Sequence, residues 1–206
     1  MDLVGDTYYA IKDFLKFGYD SPIKYDKLGY DNLGEKLLRL YGVLNAVYLQ
    51  QSAILNLYTI FKLDNSKEFK KKIYELKILK IRHMIAAHSM NCLDENREKY
   101  SYVISQVDLC DYNLDYMNNH TNENVTVNLL DLIDEYLNLM INTMDKIFEK
   151  MIGTIYKTAP DKKRELYEKL EELRLEKDEK IFNARSGEVH IRYISGNIKN
   201  GGTKYA

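Results

Sequence analysis

A chain of 206 residues has the size of one domain, and its 45% hydrophobic residues can form a sizeable core. Its 30 basic and 31 acidic residues nearly cancel, which excludes coating of nucleic acid through overall positive charge. Two cysteines are too few for a disulfide framework or a zinc cluster, and no apolar run of about 18 residues spans a membrane. No signal peptide is recognisable, and with so few cysteines we expect a cytoplasmic protein. The sequence shows no nucleotide-binding or metal-binding motif, so we expect no metal or other cofactor.

Two helices are predicted in the N-terminal third of the chain. Apolar residues over 3–15 follow helical spacing, and Gly18 with the loop at Ser21-Pro22 ends this first helix. Residues 32–62 are apolar over more than one face, which predicts a central helix with several packing partners. Gly42, inside that helix, is interpreted as a point of close packing.

The central helix also carries three amide side chains among its apolar residues: Asn45, Gln50 and Gln51. Gln51 falls on the stripe that is predicted to face inward. Buried amides are normally hydrogen-bonded, so these residues are interpreted as structural locks in preference to ligand contacts.

A third helix is predicted over residues 67–89, with Ser66 as its N-cap. On a helical wheel, four residues share one apolar face: Phe69, Ile73, Leu76 and Ala87. A second apolar stripe lies roughly opposite: Tyr74, Ile78, Ile81 and Ile85. A helix with two apolar stripes needs two partners. One is the protein's own core, and the other is another helix or another subunit.

The chain changes character after this helix. β-Branched and aromatic residues over about 100–128, with turn residues at 118–122, predict a small antiparallel β insertion of two or three strands. Asn128, followed by Asp131, resembles a capping box that opens a helix through about residue 156. Together with one further helix, these features form a predicted single domain over residues 1–185.

A last helix is predicted from Pro160 to about residue 183, with a highly charged surface. We interpret it as a solvated helix packed by one edge, with a partner-binding or coiled-coil role as the alternative. Residues 186–206 are rich in Gly, Asn and Lys towards their end, and we expect a partly disordered tail.

The most reactive combination of side chains lies at residues 82–88, which read Arg-His-Met-Ile-Ala-Ala-His. Metal-free cleavage of RNA removes the proton of the 2′-hydroxyl and places negative charge on the phosphate. A histidine, with a pKa of about 6.5, can move that proton. An arginine binds phosphate through a planar, permanently charged fork. Spacing alone is weak support, because Arg185 and His190 match it equally well.

The context of Arg82 and His88 is more specific than their spacing. On a straight helix six residues place them about 120° apart, one on each side of the stripe formed by Ile78, Ile81 and Ile85. If this isoleucine stripe is a subunit seam, two copies of Arg82 and His88 meet in one cleft. Lysines before Arg82 would guide RNA, with a solvated face as the alternative interpretation.

These residues resemble the R-x(4–6)-H signature of HEPN domains, which are all-helical and usually dimeric. Many are metal-independent ribonucleases in toxin–antitoxin, phage-defence and RNA-processing systems. The resemblance covers roughly residues 30–155 as architecture and 82–88 as a motif. It implies a mainly α, HEPN-like helical bundle with a small antiparallel β insertion, acting on RNA as a homodimer. Arg82 and His88 would be catalytic and His83 supporting, with RNA contacts from Lys77 and Lys80.

The chain departs from one branch of this family. Met90 replaces the tyrosine of the His-x-Tyr extension found in toxins paired with a nucleotidyltransferase antitoxin, which weakens that assignment. An antitoxin or defence protein stays a possible partner. The competing interpretation is a catalytically inactive HEPN-like module for protein or nucleic-acid binding, whose isoleucine stripe and charged last helix bind partners. A purely structural interpretation of the motif is that Arg82 pairs with Glu75 or Glu95 and His88 merely ends the helix.

Overall fold

The structure is a computed structural model that describes residues 3–19, 33–87, 92–93, 99–105 and 109–185. It confirms a mainly helical protein with small antiparallel sheets. The chain divides into two compact units, residues 1–150 and 151–206. One domain over residues 1–185 stays a prediction, and the predicted disordered tail lies outside the described residues.

Helices α1 (Leu3–Phe17) and α2 (Leu33–Ile60) agree with the two predicted N-terminal helices. Gly18 ends α1 with φ of 58°, and a Cβ there would lie 2.2 Å from the carbonyl oxygen of Asp111, so only glycine fits. The predicted close packing at Gly42 is wrong. A Cβ added at Gly42 meets no atom within 4 Å, because this residue lies on the exposed side of α2.

The prediction of one continuous helix over 67–89 is wrong. This segment forms α3 (Ser66–Glu75), α4 (Lys77–Arg82) and a π-helix (His83–Ala87). Leu76 has φ of −57° and ψ of 126°, which is extended backbone and breaks the helix. Ser66 is the first helical residue and not the N-cap. Asn65 takes that place in a left-handed conformation, without a capping side-chain hydrogen bond.

The predicted subunit seam along the isoleucine stripe is also wrong. Ile78, Ile81 and Ile85 are 1%, 0% and 3% exposed within a single chain. Because the helix restarts after Leu76, residues on the two sides of the break do not follow one helical wheel. The stripe joins the core, whereas Tyr74 before the break is exposed.

The β insertion predicted over about 100–128 is confirmed as a three-stranded antiparallel sheet, and a short pair of strands that the sequence did not indicate precedes it. Strands β1 (Cys92–Leu93) and β2 (Lys99–Tyr100) form one pair. A three-stranded meander contains β3 (Tyr102–Ile104), β4 (Asn113–Asn118) and β5 (Glu123–Asn128), in that order. In the turn between β4 and β5, the Asn118 side chain accepts a hydrogen bond from the backbone of His120.

Helix α5 (Leu129–Ile155) begins at the predicted cap, since the Asn128 side chain accepts hydrogen bonds from the backbone N–H groups of Leu130 and Asp131. Its buried residue Tyr136 donates to the Val47 carbonyl and to Gln50 of α2, at 3.1 and 3.0 Å. Burial raises the pKa of Tyr136, which keeps its hydroxyl a donor. This contact holds α5 against α2.

The second unit contains the end of α5 and helix α6 (Pro160–Arg185). The surface of α6 carries ion pairs between residues three or four positions apart, including Lys162–Glu165 and Lys169–Glu165. These two lysines lower the pKa of Glu165 to about 2. Within the described residues, none of the helices has the length and apolar character needed to cross a membrane.

Candidate functional site

Arg82 lies where the backbone changes from α-helix to π-helix. It is the last residue of α4, and the N–H of the next residue, His83, is shared between the carbonyls of Leu79 and Lys80. A bond shared in this way is common at the end of an α-helix, and the π-helix His83–Ala87 follows it. π-Helical turns are rare and occur frequently at functional sites. The local backbone therefore singles out the same position as the sequence motif.

Two side chains of α2 contact the guanidinium of Arg82. Its Cζ lies 3.9 Å from the ring centroid of Tyr48, which is the geometry of a cation–π contact. Its Nη2 donates a long hydrogen bond of 3.4 Å to Oδ1 of Asn45. Asn45 and Tyr48 are three residues apart and share one face of α2. Arg82 is therefore bound to the neighbouring helix through an aromatic face and an amide.

His83 joins the same cluster. Its Nδ1 lies 3.5 Å from Nη1 of Arg82, and its ring approaches that of Tyr48 edge-on, with 6.0 Å between centroids. A hydrogen bond from Nη1 requires Nδ1 to be an acceptor, which is the neutral imidazole with its proton on Nε2. The ring of Tyr48 thus contacts two consecutive residues of the motif. We call Arg82, His83, Asn45 and Tyr48 the Arg82 cluster.

The charge of Arg82 is not neutralised by any carboxylate among the described residues. The predicted alternative partner Glu75 instead lies 3.8 Å from Lys71, so that pairing is wrong. Glu95 lies outside the described residues. The Nε of Arg82 is buried and has no hydrogen-bond partner. A half-buried cation without a counter-charge in the described part of the chain favours binding of an anion.

The predicted RNA-binding lysines do not join the Arg82 cluster. Lys77 and Lys80 are exposed on α4, about 140° and 160° around the helix axis from Arg82. They have no ion pair with the described acidic residues, whereas Lys71 and Lys72 pair with Glu75 and Glu68 on α3. The lysines thus present positive charge on the side of α4 opposite Arg82.

His88, the predicted proton-transfer residue, lies outside the described residues, as does His190. The angle of about 120° calculated between Arg82 and His88 does not apply, since the intervening residues form a π-helix with a different residue spacing. The structure therefore assigns surroundings to Arg82 and His83 alone among the predicted motif residues.

Sequence reasoning missed the roles of Asn45 and Tyr48. Asn45 was interpreted as a structural amide, and Tyr48 is one of several aromatic residues on an apolar helix. Their spacing of three residues was visible, but nothing local indicated that Arg82, distant in sequence, would lie on them. By contrast, Gln50 is a structural amide as predicted, since it accepts a hydrogen bond from the Tyr136 hydroxyl and donates one to the Val4 carbonyl.

The cluster offers a charged, planar donor group and an imidazole, and both contact one aromatic ring. Guanidinium binds phosphate oxygens in bidentate fashion, and imidazole can transfer protons near neutral pH. Among the described residues there is no group of three or more His, Cys, Asp or Glu side chains that could hold a metal ion. Comparison with protein-family models, curated proteins and solved structures found no match to this chain.

Proposed function

We propose that this protein is a metal-independent endoribonuclease of HEPN type, with a HEPN-like helical bundle, acting in bacterial defence, toxin activity or RNA processing. One observation carries the proposal most directly. Arg82 is half-buried with an unpartnered Nε and no described carboxylate partner, and it stands where the π-helix begins. A site of this kind is prepared for an anionic ligand, and the phosphodiester of RNA is the ligand that the motif favours.

The proposed reaction is attack of a ribose 2′-oxygen on the adjacent phosphorus. His88 accepts the 2′-hydroxyl proton as the O–P bond forms, and a proton returns to the departing 5′-oxygen as its bond to phosphorus breaks. The products are a 2′,3′-cyclic phosphate and a 5′-hydroxyl. Arg82 stabilises the charge that develops on the phosphate oxygens, and His83 supports it by accepting from Nη1.

Lys77 and Lys80 are proposed RNA contacts of a different kind. Their position on the far side of α4 suits a strand that passes around the helix, with the scissile phosphate at Arg82. Lysines would then attract the backbone without sequence preference. Replacing Lys77 and Lys80 together by Ala should weaken RNA binding and reduce its salt dependence. The cleavage rate of bound RNA should not change.

We propose a homodimer that pairs through α2, since the isoleucine stripe is buried. Residues 40–60 contain no charged side chain, although Tyr41, Gly42 and Leu49 of this segment are exposed. A two-fold contact places identical surfaces together, and an uncharged surface avoids like-charge repulsion there. Leu49 is four residues from Asn45, so this pairing would bring two Arg82 clusters to one cleft.

The dimer surface can be tested by sedimentation equilibrium. Leu49→Asp should convert a dimer to a monomer, because a charge would enter the seam. Ile141→Asp on α5 is the matched control, since Leu49 and Ile141 are 43% and 48% exposed. A monomeric wild-type protein, or a dimer that survives Leu49→Asp alone, would show that this surface is not the interface.

The second candidate function is a non-catalytic HEPN-like module that binds a partner, such as an antitoxin or defence protein. Exposed leucines on α6 favour it, since Leu173 and Leu175 lie at the surface of an otherwise charged helix. This candidate predicts a stable complex with a partner protein or RNA but no cleavage.

Nuclease activity is tested by incubating the protein with total RNA in EDTA. We expect cleavage that leaves 2′,3′-cyclic phosphate ends. His88→Ala should abolish it, and Arg82→Lys should not restore the activity lost in Arg82→Ala, because the planar fork is missing.

Two matched controls separate chemistry from folding. His120→Ala removes an exposed histidine in the turn after β4, and Arg164→Ala removes an exposed arginine on α6. Both should cleave at the wild-type rate. Intact RNA with the wild-type protein would favour the binding module, and cleavage by a folded His88→Ala variant at the wild-type rate would reject the mechanism.

A further inference from the structure

The Arg82 cluster contains one residue that contacts both described motif side chains, Arg82 and His83. Tyr48 has the guanidinium of Arg82 over its ring face and the ring of His83 against its edge. Consecutive residues of a helix project about 100° apart, so they do not normally share one aromatic partner. Tyr48 therefore fixes the directions of both side chains at the start of the π-helix.

The contact with Arg82 is the shortest of its kind in the described part of the chain. The distance from cation to ring centroid is 3.9 Å for Arg82, against 4.8 Å for Lys16 over Phe17 and 5.8 Å for Arg39 over Phe17. Cation–π attraction strengthens when the pair is desolvated, as for a half-buried arginine. The face of the guanidinium is held by this ring, and its donors stay in the guanidinium plane, where an anion would bind.

From this geometry we infer that Tyr48 is the positioning residue that holds Arg82 for an anionic phosphate group, with Asn45 restraining Nη2. The inference rests on the proposed function for the identity of the phosphate as part of RNA. The positioning itself does not depend on cleavage. Both contacts of Tyr48 are made through its ring, so phenylalanine should preserve them and leucine should remove them.

Positioning is measured first without RNA, by NMR of the Arg82 Nε–H group. In the wild-type protein and in Tyr48→Phe, we expect a resonance shifted by the aromatic ring and protected from solvent exchange. In Tyr48→Leu it should move to the position of a free arginine and exchange quickly. Titration with inorganic phosphate should then show binding weakened about tenfold in Tyr48→Leu. Tyr74→Leu, which alters an exposed tyrosine on α3, is the matched control.

Cleavage supplies the second measurement. Tyr48→Leu should lower kcat about tenfold with little change in KM, because Arg82 keeps its charge but loses its fixed direction. Tyr48→Phe should restore kcat. An unchanged Arg82 resonance and unchanged phosphate binding in Tyr48→Leu would overturn the inference. Phosphate binding that depends on Tyr48, in a protein that never cleaves RNA, would support the positioning role and reject the nuclease.

Discussion

Arg39 belongs to α2 and Arg82 packs against it, and the surroundings of the two arginines are opposite in character. Arg39 is 14% exposed and has a charged partner: its Nε donates to the Gly18 carbonyl at 2.9 Å, and its Nη2 donates to Asp13 Oδ2 at 3.2 Å. Arg82 has a long bond to Asn45, an aromatic contact and an unpartnered Nε. Arg39 has the partners of a structural arginine, whereas Arg82 keeps one buried donor, its Nε, without a partner.

The largest difference should appear in the stability of the two alanine variants. Arg39→Ala should lower the free energy of unfolding by about 2 kcal/mol, since the buried Gly18 carbonyl loses a charged donor. Arg82→Ala should cost less than about 1 kcal/mol. The variant loses the contacts with Tyr48 and Asn45, but it also removes the unfavourable burial of an Nε that has no hydrogen-bond partner. Urea unfolding measures both. Equal losses would contradict the contrast between the two sites.

The neighbouring amides Gln50 and Gln51 extend the comparison. Gln50 is hydrogen-bonded to Tyr136 and Val4. Gln51 is only 2% exposed, and its Oε1 is buried without a hydrogen-bond partner. Gln50→Leu should cost about 1 kcal/mol, and Gln51→Leu should be neutral or stabilising. Urea unfolding measures both changes in stability. A larger loss of stability for Gln51→Leu than for Gln50→Leu would mean that Gln51, and not Gln50, is the structural amide.

Asn45→Asp would give Arg82 the kind of partner that Arg39 already has. A carboxylate at this place should raise the stability at pH 7 by about 1 kcal/mol, because the half-buried guanidinium gains a counter-charge. RNA cleavage and phosphate binding should fall, since the carboxylate competes with the ligand. Asn56→Asp, at an exposed position of α2, is the control. Greater stability with unchanged phosphate binding would exclude Arg82 as the anion site.

Gly42 lies between the two arginine sites on α2, on the proposed dimer surface, and its replacement tests the helix alone when the protein is dilute enough to be a monomer. Gly42→Ala should stabilise the protein by up to about 1 kcal/mol, because alanine favours the helix and no atom lies within 4 Å of the added Cβ. Thermal unfolding of the dilute protein measures the change. Destabilisation would mean that another group contacts Gly42 at this surface. If the loss of thermal stability grows with protein concentration, that group belongs to a second copy of the chain.

The sequence alone located most helices and the β insertion. Helical periodicity, Gly18 and the Asn128 cap are local signals, and each depends on residues within one or two turns. It failed at Leu76 and Ser66, where the helix breaks and restarts. The break cannot be read from helix propensity, since leucine is a good helix former, and the burial of Ile78 and Ile81 on the core side depends on it.

The candidate site divides in the same way. Residues 82–88 can be identified from sequence, because the charge of arginine and the titration of histidine are properties of the side chains themselves. The partners of Arg82 were decided by tertiary structure, since Asn45 and Tyr48 belong to a helix that ends well before Arg82 in the chain. The absence of a counter-charge for Arg82 among the described residues is likewise a tertiary property, because Glu75, the nearest carboxylate before it in sequence, pairs with Lys71. Local sequence specifies which groups are present, and packing decides which of them are left without a partner.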